Sequence, residues 1–472
     1  MSDAATVMTT ATEPDGAPRV ASLDILRGIA ILGILFMNIN AMGGAILIGW
    51  EDIWRYGHSR ADEVAFFLRN TLADGTARCM LEMLFGVGMV ILTDRAAKGV
   101  EALGEATRAR RVVRWLFGPW TVMKSYYWRN FVLFLFGIVH VFILLWPGDI
   151  LHTYGIAAMI AFLFRRCGPK LLLGLGLTAA ILQLVGGGIG YVTATQTHAQ
   201  VAAIEAKQQA GGTVTAADRK TLAEFAESNA AQAGDDADYA ARMTAEDKAR
   251  GATAGFSSWA AMQWEMFLWL ESLFLEPLWI WEAAATMLVG AALFKWGVIQ
   301  GARSTRFYLW LMLGCYAFGL GTRSVGALEE IAGHDGPSIT WATMEFARLA
   351  VTLGHIAVVH LLLRTTAGLR LLKPFEAAGR TALTLYILQT IICLWIIYPP
   401  FGFGLYGKQG WMAWMLTAAA INALLLWGAN WYVGRYRIAP VEWAWRSIIA
   451  GRRLAFSKAG RPSAGGATPM PA

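Results

Sequence analysis

About ten stretches of this chain are apolar for long enough to cross a lipid bilayer, and nothing else constrains its fold as much. They lie at roughly 26–46, 79–94, 130–146, 150–164, 171–193, 277–296, 306–326, 341–363, 379–398 and 411–433. A hydrocarbon core about 30 Å thick is crossed by about 20 helical residues. The chain therefore reads as an all-α integral membrane protein, a polytopic bundle of about ten transmembrane helices. Composition agrees: of 472 residues 56% are hydrophobic and 15% charged, where a soluble domain carries about 25% charge. The Trp-rich stretch 257–276 is interrupted by Glu265 and Glu271. It reads as an interfacial helix, because Trp concentrates at headgroup depth. Cys79, Cys167, Cys315 and Cys393 are isolated in or beside apolar runs and suit packing, with neither metal nor disulfide spacing.

Charge assigns sides to the spans. The segment Asp94–Arg129 holds eight Lys/Arg against three acids, Arg165–Lys170 three against none, and Lys295–Arg306 three against none. Arg364–Arg380 holds four against one, and the tail from Arg435 seven against one. The connections between these are neutral or acidic. Basic loops stay in the cytoplasm, so both termini are expected there, in a multi-pass membrane protein. The net charge of +7 is then a topology signal, with membrane lipids rather than nucleic acid as the partner. The N-terminus has no basic region followed by an apolar core, so no cleaved signal peptide is expected.

The resulting organisation is a disordered cytoplasmic N-terminus (1–19), a first block of five spans (20–193), a helical periplasmic insertion (194–256), the interfacial helix with the last five spans (257–450), and a disordered cytoplasmic tail (451–472). Within the insertion, six Lys/Arg stand against nine acids over 194–255. Thr215 to Asp218 and Thr244 to Asp247 both fit the capping-box pattern, so short helices are expected there. Large apolar residues are too few for an independent core, and the insertion is expected to cover the outer face.

The first span is not purely apolar. It reads VASLDILRGIAILGILFMNINAMGG over 20–44. Arg27 and Asn38, eleven residues apart, return to within about 20° of each other on a helix, and Asp24 falls near the same line. Such a stripe faces the protein interior or a water-filled cavity rather than lipid. At the inner side it is joined by Arg380, Thr381 and Thr384, which open the ninth span. Toward the outer side stand His140 in the third span, Asp149 and His152 in WPGDILHTYG, and Asp74, Arg78 and Glu82 at i, i+4, i+8. Glu345, Arg348 and His355 start the eighth span at the same depth, with His360 on another face. The two clusters read as two mouths of one polar cavity. Plainer readings exist: Asp24–Arg27 as a helix-end ion pair, Arg78–Glu82 and Glu345–Arg348 as surface pairs, and Asp149 as an N-cap. His140 has no capping role, and an ionisable residue inside a membrane defaults to function. No HExxH-like spacing supports a metal, and none is expected.

These residues resemble a family. The pattern LDxxRGxAxxGI followed by Asn is similar to the N-terminal signature of the YeiB family of bacterial membrane proteins, and to the first helix of heparan-alpha-glucosaminide N-acetyltransferase. MLEMLFGVGM, GIVHVFILLWPGDILHTYGI, EAAGRTALTLYILQT, FGFGLYG and APVEWAWR agree with the YeiB pattern in order, and 194–255 is unmatched. Pro147 stands at a variable position and His152 at an open one. Cys79 and Glu82 fall where apolar residues or Ser are expected, so no role passes to Glu82. The resemblance implies a transmembrane acyltransferase superfamily and a homodimer. Its members move an acyl group from cytoplasmic acyl-CoA, in the first place acetyl-CoA, to an acceptor on the far side. On that reading His140, Asp149 and Asn38 are catalytic: base or acyl carrier, orienting carboxylate and oxyanion donor. Asp24, Arg27, Arg380 and Thr384 bind the acyl-CoA donor, and Arg78, Glu345, Arg348 and His355 bind the periplasmic acceptor. The alternative is a transporter of a small polar or anionic substrate.

Overall fold

The computed structural model describes residues 9–12, 18–49, 52–102, 120–272, 275–334 and 336–457. Residues 103–119 of the basic stretch 94–129, and the tail from 458, lie outside the described residues. Before the first helix, Thr9–Thr12 pairs antiparallel with Pro18–Val20. Among the described residues, all the other named elements are helical.

The helices are α1 (Ala21–Gly43), α2 (Arg60–Leu68), α3 (Thr76–Ala102), α4 (Trp120–Phe142), α5 (Leu151–Ala161), α6 (Pro169–Gly176), α7 (Thr178–Gln209) and α8 (Ala216–Arg250). They continue with α9 (Phe256–Ser272), α10 (Leu275–Lys295), α11 (Thr305–Ile331), α12 (Thr340–Leu362), α13 (Thr366–Arg380), α14 (Ala382–Ile391), α15 (Trp411–Arg435) and α16 (Pro440–Ala450). Among the described residues, six segments are long and apolar enough to cross a membrane: 21–43, 60–95, 169–209, 276–295, 340–362 and 411–435. A seventh crossing is made if the pair 366–380 and 382–397, bent by 80°, counts as one. The chain is thus an all-α, multi-pass membrane protein. The other three runs of the sequence reading also form helices, but of a different quality. The stretch 151–164 is short, α4 carries Lys124 and Arg129, and α11 is diluted by Arg323 and several Gly and Tyr residues.

Lipid offers helices no hydrophobic reason to associate, so packing depends on close backbone approach at small residues. Two reciprocal glycine contacts show this. A Cβ on Gly28 of α1 would strike the carbonyl of Phe375 in α13, and one on Gly379 would strike the carbonyl of Asp24. Likewise Gly86 of α3 abuts the carbonyl of Met287 in α10, and Gly290 that of Met83. These contacts bring α13 against α1 and α10 against α3, and α5 packs on both α4 and α10.

The continuous helical segment 169–209, at 1.5 Å per residue, is about 60 Å long, twice a hydrocarbon core. Its outer half and α8 make up the insertion, as two long helices rather than several short ones. Thr215 and Asp218 form the expected capping box. Thr244 and Asp247 do not: both lie inside α8, where the backbone is already paired and their side chains are free to reach outward. Asp247 accepts from Arg55 Nε at 2.7 Å, from Tyr406 Oη at 3.1 Å and from the Tyr56 hydroxyl. Burial, with the Asp247 carboxylate beside it, pushes the Tyr56 phenol well above its ordinary range. Arg250 donates to the carbonyls of Met42 (2.7 Å) and Gly44 (3.2 Å), and the Ile46 N–H donates to Glu246 at 3.0 Å. The end of α8 therefore supplies partners for carbonyls that α1 leaves unpaired at its C-terminus. Helix α9 covers the stretch read as interfacial, with Trp259 buried and Trp264 donating to the Phe142 carbonyl.

Because the α3–α10 crossing has no room for a side chain, Gly290→Val is expected to destabilise the protein by about 1–3 kcal/mol or more. Gly428→Ala, at a position where a Cβ meets nothing, is expected to be neutral or stabilising by up to about 1 kcal/mol. Thermal midpoints of the two variants in detergent, read beside the parent, check this.

Candidate functional site

One cavity, about 290 Å³ in volume, runs between α1, α3, α4, α5 and the bent pair α13–α14. Asp24, Arg27, Arg95, Arg129, Arg380 and Arg446 are among its lining residues, together with Ile150, Tyr154 and Tyr386. Arg27 Nη1 pairs with Asp24 Oδ1 at 2.8 Å while its side chain remains 38% exposed. Asp24, Arg27 and Arg380 therefore share one wall, as expected. Thr384 does not belong with them. The break at Thr381 leaves the first N–H groups of α14 without helical partners. Glu442 of α16 accepts from the N–H of Leu383 (2.7 Å) and of Thr384 (3.2 Å), and the Thr384 hydroxyl donates to the same carboxylate. Thr384 is thereby committed to holding the helix end.

Behind Tyr386 lies a buried polar chain. The His140 ring packs edge-on to Tyr386, centroids 4.8 Å apart. His140 Nδ1 is 2.7 Å from Asp149 Oδ1, and its Nε2 is 2.8 Å from the Thr390 hydroxyl. The other carboxylate oxygen of Asp149 accepts from the His152 N–H at 3.0 Å and faces His152 Nδ1 at 2.9 Å. Asp149 is both a cap for the first turn of α5 and the bridge between two imidazoles. Two local features allow it. The turn after α4 passes through a left-handed conformation at Leu145, rare for a residue with a side chain. Gly137 lies one turn before His140, and a Cβ there would collide with the His152 N–H and the Asp149 carboxylate.

A second buried group lies beside the first. Arg348 Nη1 donates to Glu82 Oε2 at 3.1 Å and Nη2 to Glu345 Oε2 at 2.7 Å. Arg348 also pairs with Glu282, which meets Arg78 at 3.0 Å. Tyr154, in the cavity wall, donates to Glu82 at 3.2 Å. Arg78, Glu345 and Arg348 are thus brought together as expected. His355 is not: Tyr316 donates to its Nδ1 side at 2.7 Å and its Nε2 lies 2.9 Å from the Leu72 carbonyl, a satisfied packing imidazole. Asn38 is buried with its amide nitrogen unpaired, and among the described residues no hydrogen bond joins it to His140.

Two participants escaped the sequence reading, Thr390 and Glu282, while His152 and Glu82 were placed in the outer cluster without a role. Thr390 ends the motif EAAGRTALTLYILQT, one turn beyond Tyr386, and that i, i+4 spacing could have been read. Glu282 sits among Trp and Ala with no patterned neighbour, so nothing local signals it.

The fold and site together define a polytopic α-helical membrane protein with an arginine-lined cavity whose Tyr386 packs on a buried His–Asp pair. Residues 293–452 match the family described as Protein of unknown function (DUF418). The chain is similar to "Uncharacterized protein YxaH" of Bacillus subtilis (strain 168), 26% identical over 435 residues covering 91% of this chain and 94% of the relative. It is also similar to "Uncharacterized protein YeiB" of Escherichia coli (strain K12), 24% identical over 460 residues covering 94% of this chain and 100% of the relative. These matches support a YeiB-like family, as the motifs implied. No solved structure matches the chain.

Replacing Arg348 by Met leaves Glu82, Glu282 and Glu345 with Arg78 as the nearest guanidinium. Removing one partner from a buried pair costs about 3–5 kcal/mol. Arg348→Met is expected to lower the thermal midpoint in detergent sharply, and Glu282→Gln in the same chain to recover part of the loss.

Proposed function

We propose that this protein is a membrane-embedded acyltransferase that takes an acyl group from acyl-CoA at the arginine-lined mouth and passes it to an acceptor on the opposite side of the membrane. The observation that carries the reading is a cavity lined by Arg27, Arg95, Arg129, Arg380 and Arg446 and by Tyr386, against which His140 and Asp149 rest. On this reading the arginines face the cytoplasm, in line with the basic loops, where acyl-CoA is made. Arginine suits the phosphates of the donor because its planar fork donates two parallel hydrogen bonds. The cavity volume is at the low end for ligand sites, about 300–1,000 Å³. It admits a narrow acyl-bearing arm and leaves the nucleotide at the mouth.

The chemistry follows from the order Asp149, His140, hydroxyl. Asp149 holds the His140 Nδ1–H, which leaves Nε2 as the base. The Thr390 hydroxyl stands 2.8 Å from Nε2, at the place where an attacking hydroxyl gives up its proton. In the proposed step an acceptor hydroxyl or amine loses its proton to Nε2 and attacks the thioester carbonyl. The carbon–sulfur bond breaks, and the leaving thiolate takes the proton from the imidazolium. A hydroxyl held in this way also permits a two-step route, with the acyl group resting first on Thr390 or on His140 itself.

A second reading, transport of a small polar or anionic solute, draws on one observation: Tyr154 links the cavity to the buried Arg348 cluster, so polar groups continue beyond the His–Asp pair. Incubation of the purified protein with radiolabelled acetyl-CoA separates the two. Acyl transfer predicts label released or retained on the protein. His140→Ala is expected to cut that rate by about 10²–10⁴ with donor binding kept, and Arg380→Ala to weaken donor binding instead. Absence of binding by any acyl-CoA, with solute uptake into proteoliposomes, favours transport.

A further inference from the structure

The far end of the buried polar chain does something the acyl-transfer reading does not require. His152 uses Nδ1 on Asp149 and turns Nε2 toward two carboxylates on separate helices. Glu271 Oε1, from the end of α9, stands 3.5 Å away, and Glu276 Oε1, from the start of α10, stands 3.7 Å away. One ligand atom from each of the three residues lies within 4.8 Å of the others. We propose that His152, Glu271 and Glu276 form a binding site for a divalent transition cation, Zn²⁺ being the ion that fits the donors.

Spacing is the first argument. Charge-assisted N–H···O bonds draw in to about 2.7–2.9 Å, so 3.5 and 3.7 Å are too long for an imidazolium clasped by carboxylates. Ligands about 2.0–2.1 Å from a tetrahedral zinc stand about 3.3–3.4 Å apart, close to what is found. Donor chemistry is the second. One imidazole nitrogen and two carboxylate oxygens are ordinary zinc ligands, and three protein ligands leave a fourth position open. The Thr153 hydroxyl, 3.3 Å from Nε2 and 3.4 Å from Glu276 Oε1, is a neutral oxygen at the rim of that position.

The surroundings are the third argument. Metal-binding histidines commonly give their other ring N–H to a carboxylate, which sets the tautomer and orients the ring. Asp149 does this for His152 at 2.9 Å. Phe267 packs edge-on to the same ring, centroids 5.5 Å apart. The second oxygen of Glu276 is buried with no hydrogen-bond partner, an expensive state for a carboxylate oxygen unless something positive is bound. Glu271 keeps 24% of its side-chain surface exposed, which provides a way in. The sequence carries no metal motif because the ligands come from helices far apart in the chain. Their convergence depends on α10 packing against α5.

The site is independent of whether the cavity chemistry is acyl transfer, and its test reads metal alone. Full-length protein in detergent is stripped with EDTA, dialysed against micromolar Zn²⁺, and its metal content measured. About one equivalent per chain is expected. Glu271→Gln and His152→Gln are each expected to weaken binding at least tenfold, Asp149→Asn about 10–100-fold, and His198→Ala, an exposed histidine elsewhere, not at all. Glu271→Gln carries the test should His152→Gln fail to fold, since Glu271 is partly exposed and its amide is isosteric. Retention of no zinc by the parent, or equal retention by the parent and Glu271→Gln, overturns the proposal.

Discussion

The places where backbone touches backbone set everything else in this molecule. Helices in lipid gain little by burying apolar side chains against each other, because the lipid is as apolar as they are. What they gain comes from close contact, and glycine allows the closest. Gly28 with Gly379, and Gly86 with Gly290, bring α1 against α13 and α3 against α10 until carbonyls occupy the space of a missing Cβ. Gly137 does the same between α4 and the start of α5, and only then can Asp149 reach both imidazoles. The cavity is what remains between these clamped pairs.

Charge in such an interior must be answered by charge. Asp149 is fully buried and divides its two oxygens between His140 and His152. Arg348 gathers Glu82, Glu282 and Glu345 in the same manner. Well-packed apolar residues of the same size would often cost less than a buried ion cluster. Stability alone is therefore a poor explanation for retaining these groups. The 80° break between α13 and α14 belongs to the same economy: it frees backbone N–H groups, Glu442 takes them, and Tyr386 and Thr390 are turned toward His140.

Much of this was legible in the residues. Hydropathy placed the helices, since a 20-residue apolar run has few alternatives. The stripe of Asp24 and Arg27 announced a polar wall, and both residues line the cavity. His140 and Asp149, nine residues apart across a Pro–Gly turn, were legible as neighbours. Thr384 and His355 were misjudged for one reason: each faces a partner that only another helix supplies, Glu442 for one, Tyr316 and the Leu72 carbonyl for the other. Asp247 was misread as a cap because its pattern says nothing of Arg55, Tyr56 and Tyr406 waiting beyond the helix.

The sequence by itself determined that the chain is helical and multi-pass, which stretches are buried, and that a few polar residues line an interior space. Those follow from local quantities: the length of an apolar run, the 100° step of a helix, the solvation of a charge. The tertiary structure alone decided which polar groups meet. Thr390 reaches His140, Glu282 reaches Arg348, and Glu271 and Glu276 converge on His152 across helices distant in the chain. Helical period states which way a side chain points on its own axis. The rotation and depth of one helix against another, fixed here by glycine contacts, state what it finds there.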